Sequence, residues 1–261
     1  MVEEHFATLD GRRVRYLEAG VGWPVLLLHA FPMNADLWRP QLERAPDGWR
    51  LIAPDMTAKP GAESVEGMAS DVLRLADHLE IERTVIGGLS MGGYLTFAAY
   101  RQAPDRFAGM LLANTRAAAD TPEVRKGRDR MIALAREKGA APIADEMLPK
   151  LLGATSLRER PEVTERVRLI AESLPPESIA GALAAMKQRP DSTALLERIS
   201  CATLVVGADE DVVTPLSEVE QMQDRIPRSR LVVLHRAGHL SNLETPEQFS
   251  QALTDFFASR M

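Results

Sequence analysis

Apolar residues recur along the chain in two rhythms. Six short runs are apolar with hardly a break: "PVLLLH" (24–29), "RLIAP" (50–54), "TVIGG" (84–88), "GMLLAN" (109–114), "ATLVVG" (202–207) and "RLVVLH" (230–235). Continuous runs of this length, closed by Gly, Pro or a polar residue, suit strands buried on both faces of a parallel sheet. The opening stretch "HFATLDGRRVRYLEAG" (5–20) alternates instead, around Asp10-Gly11. That pattern predicts an antiparallel hairpin closed by a tight turn.

Helical periodicity fills the intervals. Over 64–80, Met68, Val72, Leu75 and Leu79 form one apolar stripe on a charged surface. Near the C-terminus "TPEQF" offers Thr245 as a cap, Pro246 at the first helical position and Gln248 to close a capping box. Phe249, Leu253, Phe256 and Phe257 follow as the buried face. Strand and helix units in alternation predict an α/β fold, a mostly parallel twisted sheet flanked by helices.

Residues 118–195 break that alternation. Val163, Val167, Ile170 and Leu174 share a helical face, as do Ile179, Leu183 and Met186, and no strand-like run intervenes. Prolines at 142, 149, 161, 175, 176 and 190 divide the stretch into short helices. The expectation is a core of residues 1–117 and 196–261 with a helical cap, 118–195, inserted after the sixth strand.

Composition narrows the function classes. The 261 residues are 45% hydrophobic and 26% charged, the profile of an ordinary globular chain rather than a disordered or fibrous one. Net charge is −6 with Lys and Arg dispersed, so no cationic stripe exists to track nucleic acid. The N-terminus lacks the basic start and apolar centre of a signal peptide. The runs "VLLL" (25–28) and "GMLLA" (109–113) fall far short of the roughly 20 residues of a membrane helix. These features set the expectation of a cytoplasmic protein. The single cysteine, Cys201, excludes an internal disulfide and reads as a buried, inert thiol.

Chemistry concentrates at one motif. "TVIGG" leads into "GLSMGGYLTFAAY" (88–100), so Gly88-Leu89-Ser90-Met91-Gly92 spells G-x-S-x-G between a buried strand and an amphipathic helix. A sharp strand-to-helix turn would strain the Ser90 backbone and lift its hydroxyl clear of the sheet, as a nucleophile elbow requires. Side chains at 88 and 92 would clash there, hence Gly88 and Gly92. The bland alternative is a helix entry that Ser90 merely caps. The flanking elements and the partners below favour the nucleophile.

A serine nucleophile needs a base. His5 lies in the edge hairpin, His78 sits off the apolar stripe of its helix, and His235 ends a strand. His239, in "RAGHLSNLE", follows Gly238 on a loop at the carboxyl end of the last strand, where open α/β sheets carry their active groups. His239 is therefore the candidate base. An acid must hold its second nitrogen, and "GADEDVVTP" (207–215) supplies Asp209, Glu210 and Asp211. Glu210 alternates away from the other two. Thr214-Pro215 reads as a helix start with Thr214 as cap, and Asp211 lies in the turn before it, while Asp209 follows Gly207 more closely. The residues alone leave both aspartates open.

Two backbone N–H donors must face the developing oxyanion. Met91, next to the nucleophile, supplies one. Phe31, in the loop "HAFPMNADLW" (29–38), supplies the other. His29 reads as hydrogen-bonding that loop in place rather than as a second base. Trp38, just past the loop, is a candidate either for the pocket or for the core. Arg116 could meet a substrate carboxylate or form a salt bridge to the cap. No histidine pair has metal-ligand spacing, and "GLSMGG" lacks the Lys-Ser/Thr ending of a phosphate loop, so no cofactor or metal is implied.

"HAFP", "PDM", "GLSMGG", "GADEDVVTP" and "AGHLSNLETPEQF" resemble, in order and across nearly the whole chain, the marker segments of the α/β-hydrolase superfamily. The flavour is that of small bacterial esterases and 3-oxoadipate enol-lactonase-like hydrolases. The resemblance implies a Ser-Asp-His triad, and its acid three residues before Thr-Pro corresponds to Asp211, with Asp209 as the alternative. It implies cofactor-free cleavage of a small ester or lactone. The family often has His-Gly where this chain has His29-Ala30, and "DMTAKPGAES" (55–64) departs from the common "DLRGFG" segment. Serine at position 90 disfavours the dehalogenase and epoxide-hydrolase branches, whose nucleophile is Asp. The same triad also serves C–C hydrolases, perhydrolases and lyases, and the fold is reused by non-catalytic ligand-binding proteins. Monomer and homo-oligomer remain equally open at this level.

Overall fold

All six apolar runs form strands in the computed structural model, which describes residues 1–259: β3 (Trp23–Leu28), β4 (Trp49–Pro54), β5 (Thr84–Leu89), β6 (Phe107–Ala113), β7 (Ala202–Ala208) and β8 (Ser229–Leu234). The alternating opening folds into β1 (Glu3–Leu9) and β2 (Arg12–Ala19). Between these two, Asp10 and Gly11 have φ of 48° and 76°, the paired left-handed residues that a two-residue hairpin turn needs.

One eight-stranded sheet results, in the order β1-β2-β4-β3-β5-β6-β7-β8. Strands β3 to β8 pair in parallel, and β2 joins β4 antiparallel. Each central strand divides its side chains between two apolar layers. Leu26 and Leu28 enter one, Val25 and Leu27 the other, the period-two alternation of a strand covered on both faces. Strand β8 differs from the expected double burial. It is the outer edge, and Leu231, Val232 and Val233 are only half-buried.

Eleven helices among the described residues cover the sheet. They are α1 (Arg39–Leu42), α2 (Val65–His78), α3 (Met91–Gln102), α4 (Pro122–Lys138), α5 (Ala141–Leu151), α6 (Ala154–Glu159), α7 (Pro161–Glu172), α8 (Pro176–Gln188), α9 (Leu216–Arg225), α10 (Ser241–Glu244) and α11 (Pro246–Ala258). The α2 stripe of Met68, Val72 and Leu75 packs on one face, and Ser64 caps that helix by accepting from the Gly67 amide at 3.0 Å. Phe249, Leu253, Phe256 and Phe257 of α11 pack on the other, with Trp49 stacked on Phe257. No helix among the described residues is long and apolar enough to cross a membrane.

Several local expectations are corrected. The α11 capping box does not form: the Thr245 hydroxyl donates to the Ser241 carbonyl at 3.1 Å, and the Gln248 side chain accepts from the His235 amide at 3.4 Å. Helix α9 begins at Leu216, and Thr214 turns its hydroxyl to the Asn114 carbonyl instead of capping. Helix α3 is not amphipathic, because every residue from Met91 to Tyr100 is buried. Pro149 lies inside α5, near its end, where little helix remains for it to disrupt.

Helices α4 to α8 occupy the chain between β6 and β7, with no strand among them. Their apolar faces do not form a separate core. Met131, Ile143, Ile179 and Leu183 belong to the same cluster as Phe31, in the loop after β3, and Met91, at the start of α3. The helical segment thus sits over the carboxyl ends of β3 and β5. Strand order reverses between those two neighbours, which leaves a crevice there.

Candidate active site

Ser90 occupies the turn from β5 into α3 with φ 55° and ψ −112°. Non-glycine residues rarely adopt such angles, and neighbouring bonds hold this one there. Its amide donates to the Ala113 carbonyl of β6 at 2.9 Å. Its carbonyl accepts from the Gly93 amide at 2.9 Å and from the Thr115 hydroxyl at 2.8 Å. Both flanking glycines are required by close backbone approach. A Cβ on Gly88 would run into the backbone of Gly92, and one on Gly92 into the carbonyl of Leu28. Gly93 carries a further restriction that the motif did not announce, since a Cβ there would enter the side chain of Thr115.

The three acids after β7 take three unlike partners. Asp209 accepts from exposed His235, Nδ1 at 3.0 Å, and from the Arg236 amide at 2.8 Å. Glu210 accepts from the amide and hydroxyl of Thr155, at 2.7 and 2.5 Å, and so reaches across to the helical segment. Asp211 is buried and faces His239, its Oδ2 2.9 Å from Nδ1. Its Oδ1 also accepts from the Val213 and Thr214 amides at 2.8 and 2.9 Å. Burial pushes the Asp211 carboxyl upward. The charge and hydrogen bond of His239, with the Thr214 and Asn114 donors, outweigh that and hold it below the usual carboxylate range. An ionised carboxylate only accepts, so Nδ1 of His239 is the donor in this contact. The pair lies in the loops that follow β7 and β8, at the carboxyl ends of the parallel strands, where Ser90 also leaves β5.

Asn114 was not anticipated. It follows β6 with φ 44°, and its Nδ2 donates to Asp211 Oδ2 at 2.9 Å while its Oδ1 accepts from Ser241 at 2.6 Å. It ties the ends of β6 and β7 to the start of α10. An Asn closing a buried strand, where a left-handed residue is tolerated, was the signal in "LLAN".

His29 holds its loop, as expected. Its Nδ1 donates to the Ala30 carbonyl at 2.9 Å and its Nε2 accepts from the Met56 amide at 2.8 Å, a pattern that only the neutral ring satisfies. Burial lowers its pKa. Beside it lies a cavity of about 260 Å³, lined by Phe31, Met33, Met56 and Met91 and, from the helical segment and its loops, by Leu174, Ile179 and Ala182. Asp55 is at its wall, accepting from the Ala35 amide at 2.8 Å and paired with Arg15 at 3.3 Å. Among the described residues that line the cavity, none is Lys or Arg.

Two pocket candidates lie elsewhere. Trp38 has no exposed surface and packs edge-on against Phe249, 5.6 Å between ring centroids, because the chain turns inward beneath α11. It is core. Arg116 opens onto a separate groove, where its Nε pairs with Glu218 of α9 at 2.9 Å and its Nη2 donates to the Val213 carbonyl. Its ion-pair partner is thus on the sheet-covering helix α9, not in the helical segment.

The family model for the alpha/beta hydrolase fold matches residues 24–246, and the chain belongs to this family. The chain is 29% identical over 227 residues to a 3-oxoadipate enol-lactonase of Acinetobacter baylyi, covering 84% of this chain and 83% of that one. A thermophilic esterase from Thermogutta terrifontis, solved with malate bound, superposes with a TM-score of 0.94 at 39% identity, with 99% of each chain covered. An enol-lactonase from Burkholderia xenovorans superposes with a TM-score of 0.89 at 26% identity, covering 97% of this chain and 100% of that one. These relatives are hydrolases of ester bonds. Kinship with them supports ester or lactone hydrolysis in general.

Proposed function

We propose that the protein is a serine hydrolase that cleaves a small, uncharged ester or lactone through an acyl-enzyme, with Ser90, His239 and Asp211 as its triad. The observation that carries this reading is the buried 2.9 Å contact between His239 Nδ1 and Asp211 Oδ2, at the same sheet edge as the strained turn of Ser90. His239 Nε2 takes the Ser90 proton as the hydroxyl attacks the carbonyl carbon, and Asp211 stabilises the imidazolium that forms. The amides of Phe31 and Met91 receive the oxyanion. His239 then protonates the departing alcohol oxygen, which in a lactone stays tethered to the acyl group. Water, deprotonated by His239, attacks the acyl-enzyme, and collapse of that second intermediate releases the acid and restores Ser90.

Residues 118–195 act as the cap of this site. Leu174, Ile179 and Ala182 close the cavity opposite Phe31 and Met91, so the cap supplies apolar surface for the acyl or alcohol group. A wall that is mostly apolar, with neutral polar groups such as Asn34, Thr57 and Ser178, one carboxylate and no Lys or Arg among the described residues, favours neutral substrates. Steady-state and rapid-mixing hydrolysis of short p-nitrophenyl esters tests the reading. Wild type gives turnover through an acyl-enzyme, and Ser90→Ala loses about 10⁴-fold or more in kcat. Undiminished turnover by Ser90→Ala would overturn it.

A further inference from the structure

We propose that Glu244 is a positioning residue: its buried carboxylate bolts the α5–α6 junction of the cap to the loop that carries His239, and so holds the imidazole in register with Ser90. The inference rests on the hydrolytic reading above, for which Glu244 has no direct chemical role.

Glu244 is only 3% exposed. Its Oε1 accepts from the Gly238 amide at 2.9 Å, and its Oε2 accepts from the Gly153 amide at 2.8 Å. Gly238 immediately precedes His239, and Gly153 lies between α5 and α6. On the other side of His239, the Leu240 amide donates to the Leu151 carbonyl at 3.0 Å. Both neighbours of the histidine are therefore fastened to one short stretch of the cap. Glu210 adds a parallel tie, since its amide donates to the Ala237 carbonyl at 2.9 Å while its carboxylate holds Thr155.

Glycine at both contact points makes this junction fit. A Cβ on Gly238 would collide with the backbone at Gly153, and one on Gly153 would meet the Gly238 amide and Glu210. Burying a carboxylate is costly, and apolar packing would close the gap more cheaply if closure were all that mattered. A carboxylate that accepts from two backbone amides fixes their separation and direction, which apolar contact does not. Arg160 is the charge that acts on it, and the Glu210 carboxylate also lies beside Gly153. Burial raises the Glu244 carboxyl, and its bonds to Ser156, Gly153 and Gly238 and the charge of Arg160 oppose the rise.

The test compares wild type, Glu244→Gln and Glu244→Asp in ester hydrolysis, with kcat expressed per molecule labelled by a fluorophosphonate probe. Gln keeps the shape but offers an acceptor to only one amide, and Asp keeps the charge but is too short to span both. The proposal requires kcat to fall by about 10- to 100-fold in both variants, the scale of a catalytic group displaced by about an ångström. KM should stay within about twofold, because the cavity walls lie on other parts of the cap. An unchanged kcat, or a KM that rises in step with the loss, would overturn it. If neither variant folds, amide exchange in wild type decides. Gly153, Gly238 and Leu240 must then exchange as one protected unit, and fast independent exchange at Gly153 contradicts the proposal. Wild type without ester turnover or labelling would instead sink the hydrolytic reading itself.

Discussion

Asp211 holds His239 at 2.9 Å inside the protein, while Asp209, two residues earlier, holds exposed His235 at 3.0 Å. Two aspartates of one loop thus serve two histidines of the next, and only one of those pairs is buried. Replacing the carboxylate of Asp211 by an amide presents a donor to Nδ1 and favours the wrong imidazole tautomer. Asp211→Asn should lower kcat by about 10³- to 10⁴-fold. Asp209→Asn should stay within about fivefold of wild type, the worth of an exposed ion pair. Steady-state kinetics of the two variants side by side checks both.

Ser90 stores backbone strain at φ 55°. Glycine adopts that conformation without a Cβ penalty, though it gives up more chain entropy on folding. Ser90→Gly should be more stable than wild type by about 1 kcal/mol while losing activity, as measured by urea unfolding. Equal or lower stability would mean that the turn is relaxed.

His29 is neutral in the folded protein and its pKa is lowered by burial, so the unfolded chain binds the proton first. The stability it contributes is present above the ordinary imidazole value of about 6.5 and is lost as pH falls below it. His29→Gln should flatten the dependence of unfolding free energy on pH in that window. Asp211 acts lower, because its depressed carboxyl adds stability that is lost only as pH falls below about 4.

The cavity presents methionines, Phe31 and Ile179 with Asp55 as its acid and no Lys or Arg among the described lining residues. A neutral short-chain ester should exceed its analogue with a terminal carboxylate by about tenfold or more in kcat/KM, since an anion there is desolvated near Asp55 and meets no cation. A panel of matched ester pairs measures the ratio, and a ratio near one would show that the acid is recognised elsewhere.

Much of this architecture was legible because burial on both faces of a parallel strand writes a continuous apolar run. "ATLVVG" and "TVIGG" could hardly be anything else. The elbow was legible too, since Gly88 and Gly92 are demanded by backbone contacts within one local turn. What the sequence left open depended on distance across the fold. Asp209 and Asp211 are told apart by which histidine they reach and by burial, and the family spacing, not the residues, favoured Asp211. Asn114 was missed because its partners, Asp211 and Ser241, are remote in the chain. The Thr214 cap failed for the same reason, since its hydroxyl reaches the distant Asn114 carbonyl. The Thr245 cap failed locally, because its hydroxyl bonds back to the Ser241 carbonyl four residues earlier.

Fluorophosphonate labelling followed by intact-mass and peptide analysis tests the central assignment most directly. The account predicts one adduct per chain, on the peptide carrying Ser90, and none in Ser90→Ala. An adduct on any other residue, or persistent labelling of Ser90→Ala, would contradict it.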